Sequence, residues 1–200
     1  MSRAKLLITL TIGAAIAAPA FSQEEVPASK SEASVQAFGS FVKSTTSNGI
    51  QQNATNSGGV LASYRFFFAH NSGVELNYGY ARNTQSYNFA SGAVGLPTNS
   101  HEVSVDYVFR FPRKHWSPFV LAGVGALVFD PRDVVGASAQ TRPAFVYGAG
   151  ADYNLTQRIF MRAEYRGFVY NSPTYDFAGL NGVDRTTHRA EPSIGFGYRF

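Results

Sequence analysis

The chain has 200 residues, of which 44% are apolar, 15% charged and 14% aromatic. That charge is well below the ~25% of an average soluble domain, and so much aromatic surface excludes a disordered chain. The absence of cysteine excludes a disulfide framework and a thiolate metal site, and 17 basic against 13 acidic residues without a basic stripe gives no footprint for nucleic acid. Abundant Gly (19), Phe (17) and Tyr (11) beside scarce Met (2) and Trp (1) point to sheet rather than to a helix bundle. The length allows one domain or two small ones.

The chain opens with a basic stretch, Met1 to Lys5, followed by the uncharged run Leu6 to Ala18. Small residues at Ala18, Ala20 and Ser22 then fit a cleavage site, which is the layout of a secretory signal peptide over residues 1–22. Cleavage after Ser22 is preferred and cleavage after Ala20 is the alternative. The apolar run is shorter than the ~20 residues of a spanning helix. Removing Arg3 and Lys5 leaves 15 basic and 13 acidic residues, a net charge of +2 against +4 for the whole chain. Residues 23–33 are polar and are expected to be a flexible lead.

From residue 34 onward, apolar residues recur with period two and not with period 3.6. Val60, Ala62, Tyr64, Phe66 and Phe68 oppose Gly59, Ser63 and Arg65. Val74, Leu76, Tyr78 and Tyr80 oppose Glu75, Asn77 and Gly79. Val103, Val105, Tyr107, Phe109 and Phe111 oppose Glu102, Ser104, Asp106 and Arg110. The same alternation runs through 143–153, 158–169 and 188–200. It predicts eight strands near 34–45, 58–69, 73–84, 100–111, 118–129, 143–153, 158–169 and 188–200. The first and fifth have no assignable phase. Short turns near 70–72, 112–117 and 154–157 alternate with long connections at 46–57, 85–99, 130–142 and 170–187, which carry turn residues.

One face of these strands holds aliphatic residues bounded by aromatics, and the other holds charges, Ser, Asn and Gly. A polar face enclosed by an apolar one suits a closed barrel in lipid, with aromatic girdles at both interfaces. Closure is obligatory there, because an unpaired strand edge in hydrocarbon leaves N–H and C=O groups unsatisfied.

The chain resembles the small eight-stranded outer-membrane β-barrels of Gram-negative bacteria, the group of the OmpA transmembrane domain and its OmpX-like relatives. The signal peptide, the segment Pro118-Phe119-Val120-Leu121-Ala122-Gly123-Val124-Gly125-Ala126 and the last strand, Ile194 to Phe200, carry the resemblance. It covers residues 34–200. It implies an all-β, closed, antiparallel, up-and-down barrel in the bacterial outer membrane, reached through the periplasm. It also implies that Ile194, Phe196, Tyr198 and Phe200 form a C-terminal signal for the barrel-assembly machinery. Implied partners are outer-membrane lipid and lipopolysaccharide, with a monomeric state, no nucleic acid and no cofactor. Since the chain ends on the eighth strand, the peptidoglycan-binding domain of OmpA-type proteins is not carried over.

On these phases Arg65, Arg110, Arg162, Arg166, Arg189 and Arg199 point inward with Glu75, Glu102, Asp106, Asp152, Glu164 and Glu191. An eight-stranded barrel is just wide enough for side chains to fill it, so these charges must pair. Arg65, Asp106, Arg162, Glu164, Arg166 and Glu191 are expected to form the lumen charge network. The network reads as a plug that holds the barrel rigid, or as a gated narrow ion path.

Some barrels of the group modify lipid A with a His and a Ser on one face. Here His101 and Ser104 fall on opposite faces, Thr186 rather than a Ser lies beside His188, and His70 and His115 fall in short turns. No catalytic or metal site is expected. The long loops carry Arg82, Asp130, Arg132, Asp133, Arg142, Tyr170, Tyr175, Asp176, Asp184 and Arg185, which are available for surface contact. The resulting expectation is a structural or surface-interaction protein of the envelope. A narrow passive pore is the alternative, and a lipid A-modifying enzyme is a lesser one.

Overall fold

A computed structural model describes residues 30–47, 49–89, 92–132, 138–174 and 185–200. The expected signal peptide at 1–22 lies outside the described residues. Ten strands run in chain order: β1 (Ser31–Val42), β2 (Thr45–Ser47), β3 (Ile50–Ala54), β4 (Ser57–Phe67), β5 (Ser72–Phe89), β6 (Gly92–Arg110), β7 (Trp116–Pro131), β8 (Gln140–Asn154), β9 (Ile159–Asn171) and β10 (Thr186–Arg199). Eight of them close a barrel in which β1, β4, β5, β6, β7, β8, β9 and β10 each pair antiparallel with the next. The seam is β1 on β10, from Glu32 opposite Arg199 to Val42 opposite Arg189.

The burial pattern is that of a soluble barrel turned inside out. Val35, Val124 and Phe196 are 60%, 67% and 61% exposed, while Glu75 and Arg166 are fully buried. The outward face is apolar because it meets lipid. Phe66, Tyr107, Phe111, Trp116, Tyr153, Tyr198 and Phe200 ring the end with the short turns, and Tyr78, Phe145 and Tyr147 lie toward the other end. The two undetermined phases are now assigned. In β1 the even residues Glu32, Ser34, Gln36 and Phe38 face inward, and in β7 the odd residues Phe119, Leu121, Leu127 and Phe129 do.

Three boundaries differ from expectation. β1 starts at Ser31, so Glu32 belongs to the barrel and not to a lead segment. The connection expected at 85–99 is mostly strand: β5 and β6 have 18 and 19 residues and stay paired out to Phe89 opposite Gly92. About 9–11 residues suffice to cross the bilayer, so this hairpin projects well beyond it. Within 46–57, β2 and β3 form a small hairpin that turns through Gly49 (φ 76°) and pairs β3 onto β5. Turn composition marked both segments as loops, but backbone hydrogen bonds to a neighbouring strand outweigh that weak local preference. Asp130, Arg142 and Tyr170 are likewise in strands, and Tyr170 is buried. Asp133, Tyr175, Asp176 and Asp184 lie outside the described residues.

Apolar side chains also enter the lumen. Phe119, Leu121, Leu127 and Phe129 from β7 pack with Ala144 and Val146 from β8, and the cluster continues upward through Tyr87, Leu96, Phe168 and Tyr170. At the long-loop end, Tyr87 donates its hydroxyl to the Pro173 carbonyl at 2.8 Å, which ties the projecting hairpin to the chain after β9.

The seam is tight at Gly195, where a Cβ would stand 2.1 Å from the Val35 carbonyl oxygen. Gly195→Val is therefore expected to lower the urea midpoint of the lipid-folded barrel, with a loss of ~1–3 kcal/mol from overpacking. Gly58→Ala, whose Cβ would meet only the Phe38 oxygen at 3.7 Å, is expected to stay within ~0.5 kcal/mol of the parent.

Candidate functional site

Among the described residues the lumen buries six arginines (Arg65, Arg110, Arg162, Arg166, Arg189, Arg199) and seven carboxylates (Glu32, Glu75, Glu102, Asp106, Asp152, Glu164, Glu191). They sort into two clusters at different heights, with a polar layer between them.

The cluster nearer the short turns centres on Arg162 of β9. Its guanidinium donates to Asp152 on β8 at 2.7 and 3.0 Å, to Glu75 on β5 at 3.1 Å and to Glu32 on β1 at 3.2 Å. One side chain thus ties three strands across the lumen. Arg65 donates Nε to Glu75 at 2.6 Å. Arg199 and Arg110 both reach Glu32 Oε1, at 2.9 and 3.2 Å.

The cluster nearer the long loops is a ring. Arg166 of β9 contacts Glu102 of β6, and it contacts Glu191 of β10 at 3.1 Å. Arg189 of β10 meets the same two carboxylates, Glu102 at 2.5 Å and Glu191 through Nε. Its Nη1 also donates to Ser100 at 3.0 Å.

Each of these arginines lies over a phenylalanine ring. Phe119 lies 4.2 Å from Arg65 and 5.1 Å from Arg162. Phe160 lies 5.0 Å from Arg162 and 4.5 Å from Arg199. Phe67 lies 3.6 Å from Arg110, and Phe168 lies 5.2 and 5.5 Å from Arg166 and Arg189. A ring face attracts a guanidinium and fills the space that its hydration shell would take.

The middle layer is less tied. Asp106 accepts from Asn77 at 2.8 Å and from Ser104 at 2.7 Å, both neutral donors. Glu164 accepts from Gln36 at 3.4 Å and lies 3.8 Å from Arg166. Among the described residues Asp106 Oδ1, Asn77 Oδ1, Glu75 Oε1 and Glu164 Oε1 have no hydrogen-bond donor.

Of the six residues expected to form the network, Arg65 and Arg162 stand in the lower cluster, Arg166 and Glu191 in the upper, and Asp106 and Glu164 in the layer between. Asp106 is the one for which the expected arginine partner is replaced by an amide and a hydroxyl. Sequence reasoning missed Glu32, which sits one residue inside an early strand start, and the inward phenylalanines. Phe67, Phe160 and Phe168 do interrupt the polar phase of their strands, and that was the available signal. His101 faces outward and Ser104 inward. An open, shallow groove lies on the outer wall over Ala33, Val35 and Ala62, flanked by Tyr64, Tyr78 and Phe196.

The family described as outer membrane protein beta-barrel domain matches residues 8–200. The 25 kDa outer-membrane immunogenic protein of Brucella melitensis is 30% identical over 86 residues, which is 42% of this chain and 38% of that protein. The chain therefore covers well under half the length of these curated relatives. Among solved structures, the outer membrane protein OprG of Pseudomonas aeruginosa superposes with a TM-score of 0.62 at 16% identity, covering 86% of this chain and 96% of OprG. The neisserial surface protein A gives 0.61 at 16% identity, covering 84% and 97%. These likenesses establish the fold.

Truncating Arg162 leaves Glu32, Glu75 and Asp152 short of a cation in a site where it is 1% exposed. Arg162→Met is expected to cost ~3–5 kcal/mol in urea unfolding from lipid vesicles. Arg162→Met combined with Asp152→Leu is expected to cost less than Arg162→Met alone, because one stranded charge is removed with its partner.

Proposed function

The chain belongs to the family of outer-membrane protein β-barrel domains, and on that premise we propose a plugged, non-conducting barrel whose role lies in its exposed end. It is an integral protein of the bacterial outer membrane. The observation that carries the proposal is the bridging of the lumen at two heights, by Arg162 to Glu32, Glu75 and Asp152 and by the ring of Arg166, Glu102, Arg189 and Glu191. An eight-stranded barrel has room for side chains and little else, so two bridged layers close it. The apolar cluster of Tyr87, Leu96, Phe129 and Tyr170 supports the same reading from the loop side.

What the barrel offers outward is the paired extension of β5 and β6, widened by β2 and β3 on one side and by β7 as far as Pro131 opposite Thr98 on the other. Rigid, projecting sheet is suited to surface contact. The Brucella relatives are named as immunogenic, which accords with an exposed surface of this kind. A structural or surface-interaction role is therefore favoured over catalysis. His101 is bonded to Tyr78 and faces away from Ser104, which is bonded to Asp106. This separates the groups that a hydroxyl nucleophile and its base require. Ile194, Phe196 and Phe200 stand 55%, 61% and 70% exposed and share with Tyr198 the outer face at the end of the chain. That is a surface fit to be read by the barrel-assembly machinery.

The second reading, a narrow pore, is favoured by one observation: among the described residues Asp106, Asn77 and Glu164 of the middle layer and Glu75 of the lower cluster have acceptor oxygens without donors. Planar-bilayer recording separates the two. The native barrel is expected to be silent, and the Arg166→Ala/Glu102→Ala double variant, which opens only the upper of the two bridged layers, is expected to stay silent because Arg162 still bridges Glu32, Glu75 and Asp152 below it. Steps in the native protein whose size changes in Glu164→Ala would instead assign a pore.

A further inference from the structure

The charges of the lumen do not balance. Among the described residues six buried arginines face seven buried carboxylates, which leaves one negative charge over. The contacts locate it. Glu32, Glu75, Glu102, Asp152 and Glu191 each meet an arginine, and Glu164 lies 3.8 Å from Arg166. Asp106 of β6 is 0% exposed, and among the described residues no arginine is in contact with it. Arg166, the cation of the layer above, is taken by Glu102 and Glu191.

The two oxygens of Asp106 differ. Oδ2 accepts both hydrogen bonds, from Asn77 Nδ2 at 2.8 Å and from Ser104 Oγ at 2.7 Å. Two donors on one oxygen suit the ionised carboxylate, so the charge stays on the side chain. Oδ1 has no donor. It is turned toward Gly123, its partner position on β7, where a Cβ would stand 2.3 Å from it. Glycine therefore leaves room beside Oδ1 that any other residue would fill. Glu75 stands directly across from Asp106 on β5, and Asn77 follows on the same inward face. Each carries a further buried oxygen without a donor, Glu75 Oε1 and Asn77 Oδ1.

Asp106 lies five residues from Phe111 of the short-turn girdle. At ~3.3 Å per residue and a tilt of ~45°, five residues climb ~12 Å, which is half of the ~25 Å apolar band. The surplus charge thus sits at the depth where an uncompensated ion is most costly.

We propose that the lumen binds one monovalent metal cation, sodium, at Asp106 Oδ1 in the room beside Gly123. Carboxylate, amide and water oxygens are the ligands of a hard cation. One positive charge restores neutrality, whereas a divalent ion would leave the lumen positive by one. Among the described residues no three acidic or histidine side chains converge as a divalent site would have them, which agrees with the charge count. A proton on Oδ2 would displace a donor already in place. A proton on Oδ1 could serve at most one of the acceptors Glu75 Oε1 and Asn77 Oδ1, whereas a cation draws on several oxygens at once. The proposal rests on the closed lumen and its charge count and not on whether the barrel conducts.

The ion is enclosed, so the test supplies it at the folding step. The full mature chain is folded into detergent micelles in sodium chloride or in choline chloride of equal ionic strength, choline being too large for a lumen filled by side chains. Folding is verified by heat-dependent gel mobility, and backbone amide signals are followed by NMR. In the native protein the signals of Asn77, Asp106 and Gly123 are expected to differ between the two salts and to follow one saturable curve as sodium replaces choline. Asp106→Asn, which leaves six arginines facing six carboxylates, should lose that response. The urea midpoint of the native barrel in vesicles should be higher after folding in sodium, because the ion binds only the folded state, and the two midpoints of Asp106→Asn should coincide. Native signals that are the same in both salts overturn the proposal and assign the surplus charge to a proton or to water alone. A sodium response that survives in folded Asp106→Asn, or a stronger response to calcium than to sodium at equal concentration, overturns it as well. If Asp106→Asn does not fold, the native titration still decides. A native chain that fails the gel-mobility check would instead overturn the barrel reading.

Discussion

Hydrocarbon offers no hydrogen bonds to the peptide backbone, and that constraint organises the whole molecule. Each N–H and C=O at membrane depth must find a partner within the protein, so the sheet has to close on itself. The closing contact is β1 on β10, between residues as far apart in the chain as Glu32 and Arg199. At its short-turn end it is finished by the Phe200 amide donating to the Ser31 carbonyl at 3.0 Å. Closure with eight strands then sets the diameter, and the diameter sets what the interior can be.

A narrow interior enclosed by an apolar shell is a low-dielectric place for thirteen charges. A lone ion there would carry a desolvation penalty of several kcal/mol, so each arginine meets at least one carboxylate and each cluster spans strands that are distant in sequence. Arginine is suited to this role over lysine because its planar fork can serve several carboxylates and still stack on a ring. Phe67, Phe119, Phe160 and Phe168 supply those rings. The lumen is thus neither a polar channel nor a hydrophobic core. It is an ionic lattice with aromatic spacers, denser at two heights and looser between them.

The same strands that solve the membrane problem continue past it. β5 and β6 remain paired beyond the bilayer because their ladder still satisfies backbone groups and because Tyr87 and Leu96 still have an apolar cluster to join. Where these strands leave the hydrocarbon, their outer face changes from Val, Leu and Tyr to His, Asn and Arg. The transition marks the level at which the solvent for the protein changes from acyl chain to headgroup.

The fold was legible in the amino-acid sequence because its signal is local. Period-two alternation, the spacing of turn residues and the aromatic C-terminal strand can each be read within about ten residues, and together they specify an inside-out barrel. The inward orientation of Arg65, Asp106, Arg162, Glu164, Arg166 and Glu191 follows from the same alternation. Which charge meets which could not be read in that way. Arg162 reaches Glu32 across 130 positions of sequence, and Arg166 reaches Glu102 across 64. Those partners are set by the stagger of the closed sheet, which no short window contains. The inclusion of Glu32, the neutral partners of Asp106, the phenylalanines beneath the arginines and the extension of β5 and β6 were likewise decided by tertiary structure. Each depends on a neighbour supplied by another strand: alternation determines the face a side chain occupies, and barrel closure determines what stands across from it.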